Sequence, residues 1–154
     1  MFNKLLAVLF FILFLVGCTS NTVASNSKES NLKFFVASAD MSDLVISTKK
    51  ADPTNLAAIV EETIKLNATC ISPNTKVLGI KVDNNTAYVN LSREFDDPNT
   101  NSSAAAIIKI NSIVNVLCLN EVLNIKSVVF LIEDKQLESV GPILTNNPIS
   151  PKKY

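Results

Sequence analysis

The chain has 154 residues, 14 basic and 14 acidic, with no His, no Trp and 47% hydrophobic side chains. A balanced charge without clustered Lys or Arg offers no footprint for nucleic acid, and the missing His excludes Ser-His-Asp and Cys-His catalysis and the usual zinc sites. Its three glycines, Gly17, Gly79 and Gly141, are too scattered to form a loop that cradles a phosphate.

Lys4 gives the N-terminus a positive start, and residues 5–16 form an apolar run with no charge, Pro or Gly. A bilayer span needs about 20 such residues, so this run reads as a signal peptide. It closes on Leu15-Val16-Gly17-Cys18, which resembles the bacterial lipobox. The resemblance implies cleavage after residue 17, a diacylglyceryl thioether on Cys18 and a lipid anchor on the extracytoplasmic face of the cell membrane. Two acyl chains, at about 0.8 kcal/mol per buried methylene, hold a protein stably on that surface. An ordinary secretory signal cut elsewhere is the alternative; polar Thr19 and Ser20 directly after the cysteine favour lipidation. Without residues 1–17 the chain loses Phe2, Phe10, Phe11, Phe14 and Lys4, so 14 − 1 = 13 basic residues face 14 acidic ones.

Residues 18–31 comprise Cys18 and the tract TSNTVASNSKESN, which is polar, aperiodic and unable to contribute a core. As a coil it spans roughly 20 Å, enough to lift a domain off the lipid headgroups. About 120 residues follow, room for one domain.

Strands are expected at residues 32–36 and 43–47, joined by a polar turn. Asp52-Pro53 then reads as a helix start, with Asp capping and Pro at the first helical position. Leu56, Ile59, Val60, Thr63 and Ile64 form its buried stripe. Leu78, Ile80 and Val82 alternate, as do Ala87, Val89 and Leu91. A two-residue turn at Asn84-Asn85 would pair Val82 with Ala87, Ile80 with Val89 and Leu78 with Leu91, all on one buried face. Ser102-Ser103 caps a second helix, residues 104–119, whose stripe of Ile107, Ile110, Ile113, Val114 and Leu117 is widened by Ile108, Val116 and Leu119. Residues 128–132 read as a central strand and 137–140 as a last one, stopped by Gly141-Pro142 before an irregular tail. The predicted order is β-β-α-β-β-α-β-β, an α+β fold with two helices on a largely antiparallel sheet.

The segments Thr75 to Val82 and Ala87 to Phe95 resemble the strand pair of the GerMN domain, found in sporulation and spore germination lipoproteins. Ser103-Ala104-Ala105 with Ile110, Ser112 to Asn115 and Leu117 resemble its second helix, and Ile125 to Ile132 with Leu137 to Gly141 its closing strands. The resemblance places a GerMN domain at residues 32–148, with 149–154 as a tail. It implies a fold similar to the ring-building motifs of secretion and sporulation channels. It also implies a non-enzymatic, membrane-tethered module needing no cofactor, whose partners are envelope or sporulation proteins or a second copy of the chain.

Asp96 and Asp97, with Glu94, are the residues a cation or glycan would need if the chain were instead an envelope ligand-binding or hydrolase-type lipoprotein. A solvated turn before the second helix is the simpler account of Asp96 and Asp97. Glu61 and Glu62 lie about 100° apart on a helix and do not converge. Cys70 and Cys118 both fall near predicted helix ends. Outside the cytoplasm they are free to bridge if their Cα atoms come within roughly 7 Å, or they are two small buried hydrophobes.

Overall fold

A computed structural model describes residues 28–152. The chain opens with a hairpin of β1 (Ser30–Ala37) and β2 (Leu44–Ala51), antiparallel from Ser30↔Ala51 to Ala37↔Leu44; β1 is longer at both ends than expected, and β2 starts one residue later and runs further. Its turn is organised by Asp40, whose Oδ1 accepts hydrogen bonds from Ser38 Oγ (2.7 Å), Ser42 Oγ (2.8 Å) and Ser42 N (3.2 Å). These donors hold the Asp40 carboxyl down at about 2.

Helix α1 (Leu56–Leu66) begins later than Asp52-Pro53 implied. Asp52 accepts instead from Thr54 N (2.9 Å) and Oγ1 (2.7 Å), and Asn55 N closes a turn onto Asp52 O (3.1 Å), with Pro53 at its second position. The cap passes to Asn55, whose Oδ1 accepts from Ala58 N. Ile59, Val60, Thr63 and Ile64 form the buried face, as their spacing predicted. Glu62 is paired with Lys49 of β2.

Strands β3 (Val77–Asp83) and β4 (Thr86–Leu91) turn through Asn84 and Asn85, both at positive φ (48° and 61°), the geometry of a type I′ turn. The expected pairs Val82↔Ala87 and Ile80↔Val89 are present. Leu78 does not face Leu91: a bulge between Val77 and Gly79 puts Val77 there, and Leu78, displaced from the ladder, is half exposed. Nor is the whole face buried. Ala87, Val89 and Leu91 are sealed, but Val82, on the terminal strand, is 45% exposed.

Helix α2 (Ser103–Cys118) is capped by Ser102 Oγ, which accepts from Ala105 N. It is buried around its circumference from Ala105 to Leu117 apart from Ile107, which lies on the open side rather than in the core stripe. Strand β5 (Ser127–Ile132) runs parallel to β4, with Val89 opposite Phe130. A helix between two neighbouring strands brings the chain back in the same direction, so β4-α2-β5 is a crossover unit and the sheet is mixed.

The expected last strand is three short ones. β6 (Lys135–Gln136) pairs with β5 after a tight turn with positive φ at Glu133 and Asp134, while β7 (Ser139–Val140) and β8 (Ile143–Leu144) form a small hairpin. Gly141 is the turn of that hairpin, at φ +53°, where a Cβ would lie 3.1 Å from Asn101 O. Beyond it, Ile149 pairs antiparallel with Val128.

The strand orders are therefore β1-β2, β3-β4-β5-β6 and β7-β8. α2 packs on β1, α1 and β5, and α1 on α2, β1 and β3. Two Asn side chains dock the helices onto the edge of β1 away from β2. Asn67 accepts from Ala37 N and donates to Phe35 O, and Asn120 accepts from Lys33 N and donates to Lys33 O.

Candidate functional site

The acidic segment after β4 folds as two short 3-10 turns, Arg93–Asp96 and Pro98–Thr100. Each carboxylate there is taken up locally. Glu94 accepts from Ser92 Oγ (2.5 Å), which holds its carboxyl below the usual range. Asp96 accepts from Asn101 Nδ2 (2.8 Å), and Asp97 from Asn99 N and Nδ2 (both 2.9 Å). Glu94, Asp96 and Asp97 thus act as caps and turn-formers. Among the described residues no three acidic or Cys side chains gather as a metal ion would need.

What organises this segment is Lys109, a residue the sequence reading passed over. It projects from α2, is fully buried, and donates from Nζ to Phe95 O (2.8 Å), Thr100 Oγ1 (2.9 Å) and Asn101 Oδ1 (2.6 Å). An ammonium has three donors, and all three are used. The group also lies 5.3 Å from the centre of the Phe95 ring, which stacks on Phe130 at 5.7 Å. Burial pushes its pKa down, and the nearby charges of Asp96 and Asp97 push it back up. The signal in the sequence was position: Lys109 follows Ala106 by three residues and precedes Ile113 by four, placing a charge on an apolar stripe.

Cys70 is buried and Cys118 half-buried, and both are free thiols here. Burial raises the Cys118 thiol to about 11, so it stays protonated and a poor nucleophile. Cys18 and the lipobox lie outside the described residues.

One open surface is the sheet face turned away from the helices. Gly79, Lys81, Tyr88, Asn90 and Leu131 line a shallow groove of about 420 Å3 there. Nothing lies within 4 Å of where a Gly79 Cβ would be, so space in the fold does not demand this glycine. Asn90 and Asp134 close one wall by exchanging hydrogen bonds of 2.7 and 3.0 Å. β3, at one end of the four-stranded sheet, leaves its outer side unpaired by any described strand.

With this geometry in place, the family described as Germane, sporulation and spore germination, matches residues 32–138, well over half of the chain. The chain belongs to that family. Solved structures agree on the fold. The tandem GerMN domains of the sporulation protein GerM from Bacillus subtilis align at 18% identity and a TM-score of 0.57, over 80% of this chain and 45% of that one. The first GerMN domain of the same protein aligns at 18% identity and a TM-score of 0.54, over 79% of this chain and 93% of that one. A candidate lipoprotein from Clostridium perfringens aligns at 15% identity and a TM-score of 0.51, over 79% and 87%. This chain therefore spans under half of the tandem GerM structure and carries one GerMN unit. A comparison with curated proteins finds no match.

Proposed function

We propose that this GerMN protein is a non-catalytic lipoprotein, held on the extracytoplasmic face of the cell membrane through Cys18, and that its domain is an interaction module of the envelope serving sporulation or spore germination. The observation that carries this reading is the order of its parts: a lipobox at residues 15–18, a polar tether, and a GerMN match that starts at residue 32. Among the described residues no helix is long and apolar enough to cross a membrane. The local bonding of Glu94, Asp96 and Asp97 within their own turns supports an interaction module over a cation-binding, glycan-binding or hydrolytic site at these residues. The partners this reading calls for are envelope proteins or a second copy of the chain, met beside the membrane, with no cofactor.

The experiment is metabolic labelling with palmitate in wild type and in Cys18→Ala. Label in the wild type and none in the variant is the expected result; an unlabelled wild type removes the anchor. A strain lacking the protein, scored for spore yield and germination, tests the role: normal scores in both assays overturn it.

A further inference from the structure

We infer that β3 is a self-pairing edge, and that two copies on one membrane join β3 to β3 antiparallel, with Val82 opposite Val82 of the second copy. The argument begins with where the backbone points. In a two-residue hairpin the residues flanking the turn form a hydrogen-bonded pair, and such pairs alternate along the ladder. Asp83↔Thr86 and Lys81↔Tyr88 are therefore bonded pairs, and the N–H and C=O groups of Val82 and Ile80 point to the open side. Natural edges are commonly blunted by Pro, by bulges or by charges, Lys above all, and Lys81 is such a charge unless a partner strand brings its counter-ion. Residues 79–83 contain no Pro, and the bulge lies before them, leaving the stretch regular.

The side chains then select the register. Centring the pair on Lys81 sets two like charges directly opposite, which is unfavourable. Centring it on Ile80 runs Asp83 into the bulge at Val77 of the other copy. Centring it on Val82 satisfies both faces at once. On the helix side, the two Val82 side chains, each 45% exposed alone, cover one another. On the groove side, Lys81 of each copy faces Asp83 of the other, and neither residue makes an ion pair among the described residues of its own chain. A two-fold interface must be self-complementary, and a Lys two residues from an Asp on one strand face meets that condition. The two four-stranded sheets become continuous.

The contact is short, well below the roughly 1,000 Å2 that stable complexes bury in solution. It gains strength from confinement, because two copies held on one surface meet at a raised effective concentration. For that strength the inference rests on the anchoring proposed above, though its geometry does not.

Full-length chain carrying Val82→Cys, expressed in cells and mildly oxidised, reads the pairing as a covalent dimer. Ile46→Cys, on the edge of β2 and 58% exposed, is the control for random collision, and the wild type that for Cys70 and Cys118. The dimer is expected well above both controls. In the Val82→Cys background, Lys81→Glu or Asp83→Lys alone should lower it about five-fold, and the two together should restore it. Equal cross-linking from Ile46→Cys, or no rescue by the double reversal, overturns the pairing. Palmitate label is scored on the same samples. A labelled chain that does not cross-link removes the pairing and keeps the anchor; an unlabelled chain that does cross-link keeps the pairing and removes the anchor.

Discussion

Lys109 illustrates how one buried charge can shape a segment that looks functional in sequence. Two aspartates beside a proline could serve a site but fit a turn better, and the ammonium behind them holds Phe95 O, Thr100 Oγ1 and Asn101 Oδ1, fixing that turn from inside. Lys109→Met keeps the length and the apolar stem but leaves those acceptors without their donor. Each buried acceptor so orphaned costs about 1–3 kcal/mol, partly offset because the ammonium no longer has to be desolvated. A net loss of about 2–4 kcal/mol in urea unfolding is expected; a midpoint equal to that of the wild type would show that the turn holds without the ammonium. Composition counted Lys109 as one surface charge among many, because burial depends on what packs over a position and not on the residue there. The same limit applied at Val82. Alternation assigned it correctly to the helix-facing side, but alternation encodes a face and says nothing of how far the covering helices reach across it.

At the level of elements, the legible parts were those whose signal is local. Asn84-Asn85 fixed a turn, the turn fixed a register, and the register held for Val82↔Ala87 and Ile80↔Val89 until the bulge at Val77 and Gly79, which leaves no mark in the hydrophobic pattern. Helix α2 and its Ser102 cap were equally local. The attachment of helices to β1 was not legible, because Asn67 and Asn120 act across 30 to 87 residues of chain. Asn67 is completely buried, with Nδ2 also donating to Thr63 O, so it ties the end of α1 to the strand. Asn67→Ala should cost about 2–4 kcal/mol. Asn67→Asp separates bonding from packing: it keeps the shape but turns a carboxylate oxygen toward Phe35 O and Thr63 O. It should therefore be at least as destabilising at neutral pH, and a wild-type midpoint for the Asp variant would show that shape alone secures the joint.

Over the whole molecule, the fold class followed from the order of elements, while the parallel pairing of β4 and β5 and the closure of the sheet depended on contacts distant in sequence. β5 is the strand most in need of closure: β4 covers one edge along its length, but β6 reaches only Leu131 and Ile132 on the other. Leu137 N donates to Phe130 O (3.0 Å) just beyond β6, and the start of that edge is met by the C-terminal segment, where Ile149 N donates to Val128 O (2.8 Å), Val128 N donates to Ile149 O (2.9 Å), and the Ile149 side chain packs on the core. A segment with Pro148 and Pro151 offers no strand pattern, yet Ile149, one of the two residues between those prolines, is enough for one antiparallel bridge. Ending the chain after residue 148 opens the first half of β5 to water and removes two backbone hydrogen bonds along with the Ile149 contact. The expected loss is about 1–3 kcal/mol, with faster amide exchange at Val128. Ending it after residue 151 should change neither. If both truncations unfold at the wild-type midpoint, the bridge contributes nothing to closure, and β4, β6 and α2 hold β5 without it.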